Sequence, residues 1–235
     1  IHAAALSAGI AVSTGITVLG TFGWLRVTGI TLAHLGDDGT VQDRETLGCD
    51  AVLMSGGYTP TVHLFSQSRG KLRFDESQQV FVPGNSVERE RSAGACCGTD
   101  GLRATLEQGS QAGAGAAEAA GKTGSAAGYH VQALEGSMVG TPGVLPQPGN
   151  MPPAKAFVDF QNDVTSKDLA LAMREGFESV EHIKRYTTNG MATDQGKTSN
   201  MNSLGFVSAE KGVALPKAGL TTFRMPYTPI TFGIF

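Results

Sequence analysis

The apolar positions change rhythm several times along the chain. Residues 2–9, HAAALSAG, end on Gly9 and read as the last turns of a helix stopped by a left-handed glycine. From Ile10 to Leu35 β-branched residues dominate, with glycines at 15, 20, 23 and 29, and DDG at 37–39 precedes TVQDRETLG. This pattern predicts a meander of short strands that includes a tight hairpin. Residues 51–54, AVLM, differ in kind: a continuous apolar run predicts a strand covered on both faces, and it ends in Ser55, Gly56 and Gly57. A buried strand that ends in glycines lets backbone approach a ligand closely. GKLRFDESQQVFVPG, 70–84, predicts a second hairpin.

The stretch 93–124, AGACCGTDGLRATLEQGSQAGAGAAEAAGKTG, predicts a helix capped by Thr99 or Asp100. Its expected packing face is Leu102, Leu106, Gly109, Gly113, Ala116 and Ala120, small residues that would let it lie close to a sheet. From 124 to 153 Gly and Pro recur with no sustained period, which predicts a linker. Beyond Lys155, FVDFQNDVT reads as extended, and 165–189 as two helices broken at Gly176. Thr165 is the expected cap of the first, with Asp168 in the N3 position; Ser179 is that of the second, and Glu181 and Arg185 form an i,i+4 pair.

Composition narrows the class. With 18 basic and 21 acidic residues the chain is nearly balanced and carries no basic cluster, so a nucleic-acid partner is not expected. The 32 glycines in 235 residues are about twice the ordinary share of roughly 7 % and follow no period, which excludes collagen. Three cysteines, 49, 96 and 97, are an odd number with two adjacent, which points to a reduced, cytoplasmic setting. The N-terminal twenty residues lack a signal-peptide lead-in and are too interrupted for a membrane span. The first residue, Ile1, and the apolar ending FRMPYTPITFGIF read as a chain that continues on both sides.

Several motifs look chemical and fail on context. GAGAAE at 113–118 lacks the third fingerprint glycine and lies inside a helix pattern. AAEAAGKT and MATDQGKTS each end in GKT but lack the first Walker glycine, whose unusual backbone conformation a phosphate-wrapping loop needs. Cys96 and Cys97 have only Cys49 to join them as thiolate ligands, so no metal site is expected. No histidine accompanies a nucleophile elbow, and the residues point to no catalytic group. What remains is a strand, a glycine turn, a hairpin and AGACCGTDGL entering a helix, an arrangement suited to holding a pyrophosphate at a helix N-terminus.

The residues also carry a resemblance. CDAVLMSGGYTPTVHLFSQSRGKLRFDESQQVFVPG, FVDFQNDVTSKDLALAMREGFESVEHIKRYTTNGMATDQGKTSNMNSLG and GLTTFRMPYTPITFG closely resemble the α (large) subunits of bacterial heterotetrameric sarcosine oxidases. The resemblance covers nearly the whole chain and implies a middle piece of a longer subunit. It implies an α/β fold: part of a two-dinucleotide-binding-domain flavoprotein-type, Rossmann-like module over 1–124, a linker over 125–154, a small helical domain over 155–215, and at 216–235 the lead-in to a folate-binding domain.

For cofactors, the resemblance implies NAD contacts at Ala95, Asp100 and Leu102, beside the glycine turn Gly56–Gly57. FMN lies at the α/β interface in such enzymes; by composition Lys197, Thr198 and Ser199 could face its phosphate, the other reading of TDQGKTSN being a structural loop. FAD belongs to the β subunit, tetrahydrofolate to the absent C-terminal domain, and the partners are the β, γ and δ subunits. The helical domain resembles [2Fe–2S] ferredoxin-like modules, yet the four cysteine places fall at Asp159, Gln161, Asp194 and Ser199, so a cluster-free relic is expected. The reaction implied is oxidative demethylation of sarcosine to glycine with O2, giving H2O2 and 5,10-methylenetetrahydrofolate. A non-enzymatic scaffold and a subunit of a related amine or opine dehydrogenase are the alternatives.

Overall fold

The computed structural model describes residues 2–36, 40–132 and 155–234. The chain divides into two units, one made of 1–55 with 144–155 and the other of 56–143 with 156–235. The division thus falls after Ser55, inside the stretch 1–124 that the resemblance implies to be one module. Most of the expected linker, 133–154, and the DDG turn lie outside the described residues.

In the first unit, α1 (His2–Ser7) stops as expected at Gly9, whose φ is +73°. The Ile10 N–H reaches back to the Ala5 carbonyl at 3.0 Å, closing the helix end. Three antiparallel strands follow, β1 (Ile16–Phe22), β2 (Gly29–Leu35) and β3 (Val41–Gly48), in the order β1-β2-β3. Pairing shifts register between Val18 and Gly20, and the central strand buries Ile30, Thr31 and Ala33. The predicted meander is therefore present.

The strand predicted at 51–54 is not. Those residues have no regular structure, and Leu53 and Met54 are 92 % and 74 % exposed. A continuous apolar run becomes a strand only when neighbours pair with it and cover both faces; among the described residues no strand does so. All described pairings are antiparallel, so the parallel sheet of a Rossmann-like module is not among them.

The second unit begins with α2 (His63–Gln67) and the expected hairpin of β4 (Lys71–Asp75) and β5 (Val80–Asn85). Asp75 Oδ1 accepts from the Ser77 and Gln78 amides, which sets the hairpin turn. β5 buries Val80, Phe81 and Val82. α3 (Leu102–Ala119) follows a 3-10 turn at Gly94–Cys97. Its expected packing face is reversed. Leu102, Gly109, Gly113, Ala116 and Ala120 are exposed and of that face Leu106 alone is partly covered, whereas Thr105, Gln108, Ala112 and Gly115 on the other side are partly covered.

Other small residues of α3 meet a returning stretch of chain. The chain after α3 folds back along the helix: Ala127 N–H donates to Ser110 Oγ at 2.7 Å, and a Cβ on Gly124 would sit 2.3 Å from the Ala114 carbonyl oxygen. A returning stretch of chain needs a flat side, which Ser110 and Ala114 supply.

Residues 156–234 carry β6 (Phe157–Asp159), β7 (Val164–Thr165), α4 (Ser166–Arg174), α5 (Val180–Thr187), α6 (Asn200–Lys211) and α7 (Leu215–Ala218). The local predictions hold here. Asp168 and Thr165 form a capping box on α4, Ser179 Oγ accepts the His182 amide at 3.2 Å, and Glu181 meets Arg185 at 3.4 Å. Gly176, at φ +94°, ends α4, and Phe177 N–H closes on the Ala172 carbonyl. The core is Val158, Val164, Leu169, Ala172, Ile183, Phe206 and Val207. A fully buried leucine such as Leu169 contributes on the order of 1.5–3 kcal/mol.

Sequence reading misses α6 altogether. Its stretch NMNSLGFVSAEK mixes polar and apolar residues without an amphipathic stripe, because Asn200, Ser203, Leu204, Gly205, Phe206, Val207 and Ser208 are all buried. A helix covered on most sides has no exposed polar face to give it a period.

Candidate functional site

Two glycine-rich turns lead into helices in the second unit, one before α3 and one before α6. Both were candidates in the sequence.

The first runs from Gly94 to Gly101. Gly94, Gly98 and Gly101 have φ of +79°, +74° and +82°, so the backbone bends three times where L side chains are strained. Two glutamines from outside the turn hold it. Gln108 Oε1, on α3, accepts the Gly94 amide at 2.5 Å and the Thr99 hydroxyl at 2.8 Å, and Gln78 Nε2, from the hairpin, donates to the Gly98 carbonyl at 2.9 Å. The predicted cap is displaced by one residue: Gly101 occupies the N-cap position with no side-chain cap bond. Asp100 instead accepts the Gly101 amide at 2.7 Å, while its buried Oδ2 has no hydrogen-bond partner among the described residues.

The first amides of an 18-residue helix thus stand uncapped at the mouth of a preorganised turn. Ala95 and Asp100 lie in this turn and Leu102 begins the helix; Ala95 and Leu102 are exposed. Gly56 and Gly57 lie in an exposed segment without regular structure, not at the end of a buried strand as expected. Cys96 Sγ donates to the Ala93 carbonyl, and burial, with Cys96 beside it, pushes the Cys97 thiol up to about 11. At neutral pH Cys97 is therefore a protonated thiol, not a nucleophile. Among the described residues no group of His, Cys, Asp and Glu is placed to hold a metal ion.

The second turn, 188–199, faces inward. Thr188, Gly190, Ala192, Gln195 and Gly196 all have positive φ, three of them non-glycine. Such backbone persists only where its surroundings over-determine it, and here they do. Asp159, fully buried, accepts from the amides of Gln161 at 2.9 Å, Asn162 at 3.1 Å and Gly190 at 2.7 Å. Gln161 Oε1 accepts from the Thr193 hydroxyl and the Asp194 amide. Asp194 accepts from the Gly196 amide at 2.8 Å and the Thr198 hydroxyl at 2.7 Å. The GKT loop therefore wraps a carboxylate of its own. Lys197 Nζ donates to the Tyr227 carbonyl at 2.6 Å and lies 4.3 Å above the Tyr227 ring, and Ser199 is fully buried. Lys197, Thr198 and Ser199, expected to face a phosphate, are thus used inside the chain.

A third segment crosses these. His63 Nε2 donates to the Gln195 carbonyl at 3.0 Å, and the ring stacks on Phe223 at 3.8 Å. Burial holds the His63 pKa below 6.5, with Lys197 acting in the same direction and the Gln195 carbonyl and Asp194 opposing. Residues 222–227 are gripped by their main chain: Glu181 accepts the Thr222 amide, Lys184 donates to the Thr222 carbonyl at 2.8 Å, Gln195 accepts the Arg224 amide at 2.9 Å and Gln67 donates to the Arg224 carbonyl at 3.0 Å. Lys184 is buried, which lowers its pKa. Sequence reading treated this stretch as the start of another domain, since its anchors lie far away in the chain.

Residues 153–235 match the model of the sarcosine oxidase A3 domain. The chain is 40 % identical over 217 residues to sarcosine oxidase subunit alpha of Rhizobium meliloti (strain 1021), covering 92 % of this chain and 21 % of that protein. It is 36 % identical over 244 residues to the subunit alpha of Corynebacterium sp. (strain P-1), covering 98 % and 24 %. The chain matches a segment of the sarcosine oxidase α subunit. It spans between a fifth and a quarter of the length of these α subunits. The backbone is similar to the crystal structure of L-proline dehydrogenase from P. horikoshii, with a TM-score of 0.66 at 19 % identity, covering 93 % of this chain and 44 % of that one. That likeness shows a shared mixed α/β fold. No helix among the described residues is long and apolar enough to cross a membrane.

Proposed function

We propose that this chain is the nucleotide-facing and structural part of an oxidoreductase subunit of the sarcosine oxidase type. In this reading the complete enzyme oxidises sarcosine to glycine with O2, yielding H2O2 and 5,10-methylenetetrahydrofolate, in the cytoplasm. FAD is carried by a β subunit, FMN lies at the α/β interface, tetrahydrofolate binds a further α domain, and γ and δ subunits complete the heterotetramer. The support is similarity to named α subunits over nearly the whole chain.

The chain's own contribution in this reading is an NAD wall at the turn 94–101. The observation that carries it is the uncapped α3 N-terminus behind three positive-φ glycines, which offers free amides and the positive end of a helix dipole to a pyrophosphate. Ala95 and Leu102 flank the opening. The turn's own work is to hold amides in place for the pyrophosphate and to keep side chains out of its way.

The loop 188–199 is assigned a structural role. Asp159, Gln161, Asp194 and Ser199, the four places where cluster-bearing relatives have cysteine, hold the loop by hydrogen bonds or by burial, which fits a domain that keeps its shape without iron. The contact with FMN expected at Lys197, Thr198 and Ser199 is not part of this proposal, because Lys197 and Thr198 already have partners within the chain.

The test uses the intact subunit that contains this chain. Nucleotide released on denaturation should include one NAD per subunit, and Ala95→Glu, which sets a like charge against the pyrophosphate, should weaken retention about tenfold. A subunit free of NAD, or an Ala95→Glu variant that retains it fully, removes the nucleotide role.

A further inference from the structure

Two small cavities lie on either side of Asn200 in the second unit. One, of about 20 Å³, is lined by His63, Gly196, Asn200, Leu220 and Phe223 among others. The other, of about 10 Å³, is lined by Asn189, Asn200, Ser203, Leu220 and Thr221 among others. These sizes are those of single water molecules and too small for any organic ligand.

Residues that line them carry polar atoms that the protein leaves unmatched. His63, Asn200 and Thr221 are 4 %, 5 % and 8 % exposed, and His63 Nδ1, both amide atoms of Asn200 and Thr221 Oγ1 have no hydrogen-bond partner among the described residues. Buried polar groups of this kind are otherwise almost always paired, by protein or by ordered water. The chemistry at His63 is defined: Nε2 faces the Gln195 carbonyl, which can only accept, so Nε2 carries the proton and Nδ1 is an acceptor that needs a donor. Asn200 cannot turn to supply it. Its amide is wedged between Gly190 and Gly196, where an added Cβ would come within 2.4 and 2.3 Å of it.

We propose that each cavity is a built site for one structural water. The first water donates to His63 Nδ1 and bonds the Asn200 amide; the second joins the Asn200 amide to Thr221 Oγ1. Leu220 borders both cavities and Phe223 the first, in the segment whose main chain is gripped from four side chains, so the waters exchange slowly. The pair completes the polar network that fixes α2, the loop 188–199 and the segment 220–227 to one another.

Water-17O magnetic relaxation dispersion on the full chain counts long-lived internal waters, and a crystal structure at water-resolving resolution locates them. Thr221→Val, which keeps the shape and removes the hydroxyl, should lower the count by one. Asn200→Leu, similar in shape but apolar, should lower it by two. An unchanged count in Thr221→Val, or cavities that hold no ordered water in the unaltered protein, overturns the proposal. The valine variant decides the matter even if the leucine variant does not fold.

Discussion

The turns before α3 and α6 are built from similar residues and put to opposite uses. Each has glycines at positive φ, each precedes a helix, and each contains or adjoins a phosphate-like motif. At 94–101 the holding groups, Gln78 and Gln108, come from behind, and the amides at the start of α3 are left without a side-chain cap. At 188–199 the holding groups are carboxylates within the loop's own neighbourhood, Asp159 and Asp194, and the amides point at them. A loop that encloses its own anion has no need of an external one. The difference lies in where the counter-charge comes from, not in the glycines.

This contrast can be broken most sharply at Asp159. Asp159→Ala leaves the Gly190 amide buried without a partner and removes three further bonds from the 159–162 turn. A loss of about 3 kcal/mol is expected, read as a lower denaturant midpoint with an unchanged slope. A loss below about 1 kcal/mol would mean that the loop is not held by its carboxylates.

Glycine replacements compare the two turns directly. Gly196→Ala combines a φ of +76° with a collision against the Asn200 amide and should destabilise by about 2 kcal/mol. Gly101→Ala has a φ of +82° but open space around its Cβ, so backbone strain alone applies, about 1 kcal/mol. Thermal unfolding of the two variants side by side checks the order, and equal losses would erase the distinction between a packed and an open turn.

The smallest effect concerns pH. The folded His63 pKa lies below its unfolded value of 6.5, so the unfolded state binds the proton more readily. Its contribution to stability is complete above about pH 6.5 and falls as pH drops below it. The slope of stability against pH just below 6.5 should therefore flatten in His63→Phe, which keeps the stack on Phe223 but cannot titrate. An unchanged slope would show that the loop is insensitive to that proton.

How much of this was legible depended on the range of the forces. The β-meander, the hairpin at 70–84, the Thr165–Asp168 capping box, the Ser179 cap and the stops at Gly9 and Gly176 were all readable, since each rests on partners within a few residues. The run at 51–54 misled because apolarity alone does not make a strand without neighbours. The face of α3 misled because small residues fit a returning chain as well as a sheet. The helix α6 hid because burial on most sides removes periodicity. In the α3 turn, Ala95, Asp100 and Leu102 lie along the turn and the start of the helix simply because they are neighbours in the chain, while Gln78 and Gln108, which hold it, gave no signal, as glutamines are common and two of their three bonds are to backbone atoms.

The sequence by itself determined the β-meander, the hairpin at 70–84, the caps of α4 and α5, the glycine stops at Gly9 and Gly176, and the likeness to α subunits that its motifs carry. Only the tertiary structure decided which glycine turn is open and which is filled. That choice rests on contacts such as His63 with Gln195, 132 residues apart, and Gln67 with Arg224, 157 apart. A hydrogen bond between such distant residues depends on the packing that brings them within 3 Å, and local spacing holds no record of it.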